Sequence, residues 1–270
     1  IAKRIEYLIM KHKVRPEEIL VITFTKYAAW EMKNRTRSIC GPSSYAVTFG
    51  TFHGIYYGIL KWAYRLNQSN LLSDEEKYRI LREILPGIDW DQEPEADEEK
   101  DYLQELAIEI GNVKNNCMDI EEYEPVKYTT EKFRKLYRTY EETKKKYRKI
   151  DFDMLIQCRD LFMKRPDILK KWQEKFQYIL VDEFQDVNQA QYDVVRMLAA
   201  PQDNLFVVGD DDQSVYGFRG AKPGIMKEFM KDYPKARQIL LDVNYRSSGY
   251  IVKGALRVIG NNKIRFEKKI

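Results

Sequence analysis

Three short, uninterrupted apolar runs constrain this chain more than anything else in it: Ile19-Leu20-Val21-Ile22-Thr23-Phe24, Tyr178-Ile179-Leu180-Val181 and Leu205-Phe206-Val207-Val208. A strand with one wet face alternates apolar and polar residues. A continuous β-branched run reads instead as a strand buried on both faces, in a parallel sheet covered by helices on either side. Ala46-Val47-Thr48-Phe49, leading into Thr51-Phe52-His53, and Gln238-Ile239-Leu240-Leu241 are two further strand candidates. Helical patterns over 4–12 and Lys26–Arg37 lie between or before these runs, with Pro16 at the start of a new element. Short buried strands alternating with helices predict an α/β fold.

From about residue 66 to 150 the strand signal disappears. Helical periodicity recurs at Glu75–Leu85, Tyr102–Val113 and Glu131–Tyr147, punctuated by Pro86-Gly87 and Glu124-Pro125. This stretch predicts an all-helical insert in the α/β unit. It also holds most of the charge asymmetry. Residues 89–101 carry eight acids against Lys100, whereas 127–149 carry ten bases against three acids and interleave Tyr128, Phe133, Tyr137, Tyr140 and Tyr147. Solvated helix faces account for both runs, although the basic one also suits a phosphate backbone.

Composition sets the outer bounds. The 270 residues are 44% apolar and 33% charged with a net charge of +4, enough for a core and too balanced to imply a nucleic-acid partner by charge alone. Cys40, Cys117 and Cys158 are widely spaced, which predicts free thiols in a reducing cytoplasm and no metal knuckle. No apolar run approaches the roughly 18 residues of a membrane span, so no membrane partner is expected.

The chemistry gathers directly after the strands. Tyr178–Val181 runs into Asp182-Glu183-Phe184-Gln185-Asp186, and open parallel sheets bind ligands beyond the carboxyl ends of their strands. Two adjacent carboxylates there can divide the work between Mg²⁺ on a nucleotide and an attacking water. Helix capping is the ordinary alternative for such a pair. Val207-Val208 leads into Gly209-Asp210-Asp211-Asp212-Gln213-Ser214, polar groups able to sense a phosphate, and then Tyr216-Gly217-Phe218-Arg219, a possible stacking platform for bases. Asp242-Val243-Asn244-Tyr245-Arg246 follows the last strand candidate, with an arginine that can stabilise a transferring phosphoryl group and a tyrosine that can stack.

Taken in order, ILVDEFQD (179–186), VGDDDQSVYGFRGA (208–221) and LDVNYRSS (241–248) resemble motifs II, III and IV of the UvrD/Rep-type superfamily 1 DNA helicases. VITFTKYAAWEM (21–32) resembles motif Ia, GTFHG (50–54) motif Ib, and DFDMLI (151–156) the family segment before motif II. In motif Ia the family's Thr-Asn-Lys-Ala-Ala is Thr25-Lys26-Tyr27-Ala28-Ala29 here, so the basic residue has moved by one position.

The resemblance implies a RecA-like P-loop NTPase sheet interrupted by the helical insert. The first motor lobe would occupy 1–65 and 151–238, the insert 66–150, and the start of a second lobe 239–270. It implies an ATP-dependent helicase or translocase moving 3′ to 5′ on single-stranded DNA and opening duplexes in repair or replication, with ATP and Mg²⁺ as cofactors and repair or replication proteins as possible partners. By the same resemblance Asp182 holds Mg²⁺ with Glu183 beside it, and Glu183 is the base for water. Gln213 contacts the γ-phosphate, Arg246 is an arginine finger and Tyr245 stacks on adenine. DNA would run over Phe24, His53, Phe152, Tyr216, Phe218 and Arg219. The motor part of a recombination helicase–nuclease carries the same motifs, and a catalytically silent single-strand-binding adaptor could use the same lobe. The intact Asp182-Glu183 pair argues against the adaptor. None of the thirteen glycines precedes a lysine, so the chain has no G-x-x-x-x-G-K-[ST] loop. The expectation is therefore a piece of a longer helicase, inactive as it stands.

Overall fold

The computed structural model describes residues 1–88, 98–115, 118–151, 154–214, 224–261 and 266. Helix α1 (Ala2–Met10) and a short 3-10 turn at Pro16–Glu18 lead into β1 (Ile19–Thr23). There follow α2 (Lys26–Cys40), β2 (Thr48–Thr51) and α3 (Phe52–Tyr64). Helices α4 (Asp74–Ile84), α5 (Glu99–Asn115) and α6 (Thr130–Lys146) come next, then α7 (Met154–Lys164) and α8 (Pro166–Lys175). The chain continues through β3 (Tyr178–Val181), α9 (Gln189–Ala199), β4 (Leu205–Val207), α10 (Ile225–Asp232) and α11 (Gly249–Ile259).

The four strands form one parallel sheet in the order β2-β1-β3-β4. As the uninterrupted runs predicted, successive residues of β1 enter cores on opposite faces. Ile19 and Val21 pack with Leu180 against Ile5, Leu8 and Ile9 of α1. Leu20 and Ile22 join Ile179 and Val181 beneath α3, α7, α8, α9 and α10. Tyr56, fully buried on α3, donates its hydroxyl to the Gln191 carbonyl of α9 at 2.7 Å, which pairs a polar atom that burial would otherwise penalise.

Element ends follow from local chemistry. The ladder of β2 starts at Thr48 because the Val47 N–H is already spent on the Ser44 carbonyl in the preceding turn. Helix α2 runs past Arg37 to Cys40 and stops at Gly41, whose φ of 59° is the left-handed conformation glycine accepts readily. Cys40 and Cys158 are free and buried; Cys117 lies outside the described residues.

Helices α4, α5 and α6 enclose a separate apolar cluster built from Leu81, Leu106, Phe133, Leu136 and Tyr140 among others. Where the chain leaves and re-enters the sheet region, Leu71 and Ile150 form a parallel bridge: Leu72 N–H donates to the Ile150 carbonyl at 2.8 Å and Ile150 N–H to that of Asn70 at 2.7 Å.

One expected strand does not form. Residues 236–244 have no regular structure, and Leu241 is 82% exposed. An apolar triplet becomes a strand only beside a sheet edge that can take its backbone hydrogen bonds, and no described strand flanks 238–241. Helix α11, which follows, buries none of its residues.

Candidate functional site at the carboxyl ends of the strands

The parallel register aligns the ends of β1, β3 and β4, because Ile22 pairs with Val181 and Val181 with Val207. Beyond the sheet the ladder continues for one more step: Asp182 N–H donates to the Ile22 carbonyl and Val208 N–H to that of Val181, both at 2.9 Å. Asp182, partly buried, therefore leaves the sheet between the ends of β1 and β4, and exposed Glu183 follows it. Glu183 is left-handed (φ 51°, ψ 46°), a conformation that costs a non-glycine residue energy and tends to collect at functional sites. The chain then makes a tight 3-10 turn, Phe184–Asp186, before Asn188 caps α9 in a reciprocal box with Gln191.

Carboxylates here repel one another. Burial, then Glu183, raises Asp182 above the ordinary carboxylate range, against the opposing Glu183 amide and Arg35. Burial and then Glu183 push Asp186 up to about 6, with the Gln185 amide pulling the other way. The Asp186 Oδ1 atom is buried with no hydrogen-bond partner among the described residues. An all-oxygen group of carboxylates raised above their usual range, with an orphaned buried oxygen, fits a hard divalent cation such as Mg²⁺.

The loop after β4 docks on this turn. Phe184 N–H donates to the Val208 carbonyl at 2.9 Å, and Asp210 N–H donates to Gln185 Oε1 at 3.0 Å. Gly209 makes the approach possible, since a Cβ there would lie 2.7 Å from Gln185 Oε1 and 3.1 and 3.2 Å from the amide nitrogens of Gln185 and Phe184. Gln213 Nε2 donates to Asp210 Oδ2 at 2.7 Å. Asp210, Asp211 and Asp212 bring their carboxylates within 4.8 Å of one another.

The sheet thus assembles Asp182, Glu183 and Gln213 around one strand-end region, with Phe24 directly after β1 and His53 in the first turn of α3. Thr25 and Thr51 cap the helices beside them, accepting from Ala28 N–H at 3.0 Å and Gly54 N–H at 3.1 Å. Burial lowers the His53 pKa, which favours the neutral imidazole. Tyr245 and Arg246 are not gathered in. Tyr245 is 93% exposed, and the Arg246 guanidinium makes no hydrogen bond or ion pair with a described residue. Their turn is organised by Asn244, whose Oδ1 accepts from the Arg246 and Ser247 amides at 3.0 and 2.9 Å. Phe152, Tyr216, Phe218 and Arg219 lie outside the described residues. Sequence reasoning passed over Gln185, Asp186 and Arg35. The signal for the first two was their place inside a strand-end turn, whereas Arg35 sits ten residues beyond the α2 cap with no motif to mark it.

Comparison with known proteins gives the family. The family model for the UvrD/REP helicase N-terminal domain matches residues 1–234. YjcD of Bacillus subtilis is 39% identical over 279 residues, covering 99% of this chain and 35% of its own length. The ATP-dependent DNA helicase PcrA of the same organism is 38% identical, covering 99% of this chain and 36% of its own length. DNA helicase II of Escherichia coli is 34% identical, with 99% and 37% covered. The chain spans little more than a third of the length of these relatives.

Proposed function

The chain belongs to the UvrD/REP helicase N-terminal domain family, and on that premise we propose that it is the first motor lobe, with its helical insert, of an ATP-dependent DNA helicase. Residues 1–65 and 151–238 form the lobe in this reading, 66–150 the insert, and 239–270 the start of the second lobe. One observation carries the proposal: Asp182 and Glu183 emerge at the carboxyl end of β3, and the loop bearing Gln213 is hydrogen-bonded to the same turn. In an open parallel sheet that edge is where a nucleotide binds.

In the proposed mechanism Asp182, with Glu183 beside it, would hold Mg²⁺. Bound together with the nucleotide phosphates, the ion would offset charge on the transferring group. Glu183 takes the proton of the attacking water. Its exposure lets solvent reach it, and the Gln185 amide fixes one carboxylate oxygen at 2.7 Å. Gln213 reports the state of the γ-phosphate to the β4 loop. Tyr245 stacks on adenine and Arg246 supplies positive charge from the second lobe, which requires their exposed turn to close on the strand ends. Single-stranded DNA passes over Phe24, His53, Phe152, Tyr216, Phe218 and Arg219 in the 3′-to-5′ direction, in repair or replication. A neutral His53 serves as a hydrogen-bonding or packing group on that track.

The test is Glu183→Gln in the full-length protein, which keeps shape and hydrogen-bonding reach while removing the base. ATP turnover should fall at least about 100-fold with Mg-ATP binding retained. Turnover near the parent rate would overturn the assignment.

A further inference from the structure

We infer that Gln185 is a positioning residue that ties the Glu183 base to the loop after β4, so that the base is aligned only while that loop is docked. The inference rests on the proposed role of Glu183. Gln185 is 3% exposed, and both ends of its amide are used. Nε2 donates to Glu183 Oε2 at 2.7 Å and, more weakly, to Asp186 Oδ2 at 3.4 Å. Oε1 accepts from Asp210 N–H at 3.0 Å. The Gln185 carbonyl accepts from Ser214 Oγ at 3.4 Å, beyond the Gln213 side chain that itself reaches back to Asp210 at 2.7 Å. Glu183, Gln185, Asp210 and Gln213 therefore form one continuous path of hydrogen bonds between two segments 25 residues apart.

The chemistry of the position is narrow. It needs a donor toward a carboxylate and an acceptor toward a backbone N–H from one buried side chain, and an amide is the group that supplies both without charge. A glutamate would keep the acceptor but set a third negative charge against Glu183 and Asp186. A methionine would keep the volume and lose both bonds. Gly209 leaves no slack: the Gln185 amide oxygen occupies the space a Cβ would need. A shift of the β4 loop therefore moves the Gln185 amide, and with it the Glu183 carboxylate. A purely structural glutamine would stabilise the turn without affecting the chemical step.

The experiment compares Gln185→Met and Gln185→Glu with Glu183→Gln and the parent in the full-length protein, measuring thermal melting, kcat and KM for ATP, and the ratio of DNA-stimulated to DNA-free turnover. Loss of a charge-assisted bond to the base should lower DNA-stimulated kcat about tenfold or more. KM should stay within about twofold, and the stimulation ratio should fall, because the base no longer follows the loop. Gln185→Glu should lose at least as much, despite keeping the Asp210 bond. If Gln185→Met lowers the melting temperature but leaves kcat per folded enzyme and the stimulation ratio at parent values, the glutamine is only structural and the inference is overturned. If Gln185→Met does not fold, Gln185→Glu decides alone: parent-like kcat and stimulation refute the inference. A parent-like rate for Glu183→Gln refutes the base assignment itself, whereas a dead Glu183→Gln beside a parent-like Gln185→Met refutes only the link.

Discussion

The strand-end site and the root of the helical insert each bury an aspartate, Asp186 and Asp151, and they handle its charge in opposite ways. At the root, Asp151 pairs with Lys77 at 2.9 Å, lies 3.9 Å from Lys114 and accepts the Tyr140 hydroxyl at 2.8 Å. Glu141 pairs with Lys114 at 2.5 Å and Lys144 at 2.8 Å. All three lysines are buried. At the strand ends burial, and then repulsion from Glu183, raises both Asp182 and Asp186 above the usual carboxylate range. A buried acid with its own cation is a structural fastening, costly to break from one side. A group of acids short of cations keeps capacity for an outside charge, which is how perturbed carboxylates mark sites.

The sharpest way to break this comparison is Asp151→Ala. It removes the acid that buried Lys77 meets at 2.9 Å and the acceptor of the Tyr140 hydroxyl, and should cost about 3–5 kcal/mol in urea unfolding of the 270-residue chain, the usual penalty for removing one partner of a buried pair. A loss below about 1 kcal/mol would mean that the root is solvated and the contrast false.

Asp186→Asn should act with the opposite sign. The native Asp186 carboxyl titrates at about 6 instead of its ordinary 3.8, so the folded state holds this proton more tightly than the unfolded chain does. Its contribution to stability is most favourable below about pH 4, declines as pH rises through 4 to 6, and stays unfavourable above that window. The asparagine variant removes the decline, so it should gain on the parent between pH 4 and 7. A stability difference that does not change across this range would show that Asp186 is not under strain from its neighbours.

Gly209→Ala tests the crowding that keeps the two strand-end segments together. Its Cβ would sit 2.7 Å from Gln185 Oε1 and close to two backbone nitrogens, so a cost of about 1–3 kcal/mol is expected from thermal melts. A neutral result would mean that the β4 loop has room to move. The smallest effect should come from Leu241→Ala, outside both regions, where exposure limits the change to within about 0.5 kcal/mol. A larger loss would place Leu241 in a core after all.

Much of the architecture was readable from the chain alone. Ile19-Leu20-Val21-Ile22 and Tyr178–Val181 are so uniformly apolar that only a sheet covered on both faces could accept them, and Asp182-Glu183 and Gly209-Asp210 follow such runs directly. These are local facts, because burial preference and strand propensity belong to the residues themselves. What only the tertiary structure decided was pairing. Ile239-Leu240-Leu241 has the same local character as β4 yet stays in solvent, because a strand also needs an edge to hydrogen-bond with. Asp151 looks no different in sequence from Asp186, yet lysines from three helices converge on the first region and acids on the second. Gln185 could not be told from any polar turn residue until its amide was seen to reach Asp210. A hydrogen bond or an ion pair is a property of two groups, and when they lie 25 residues apart, as Gln185 and Asp210 do, or 74, as Lys77 and Asp151 do, only the folded chain determines whether they meet.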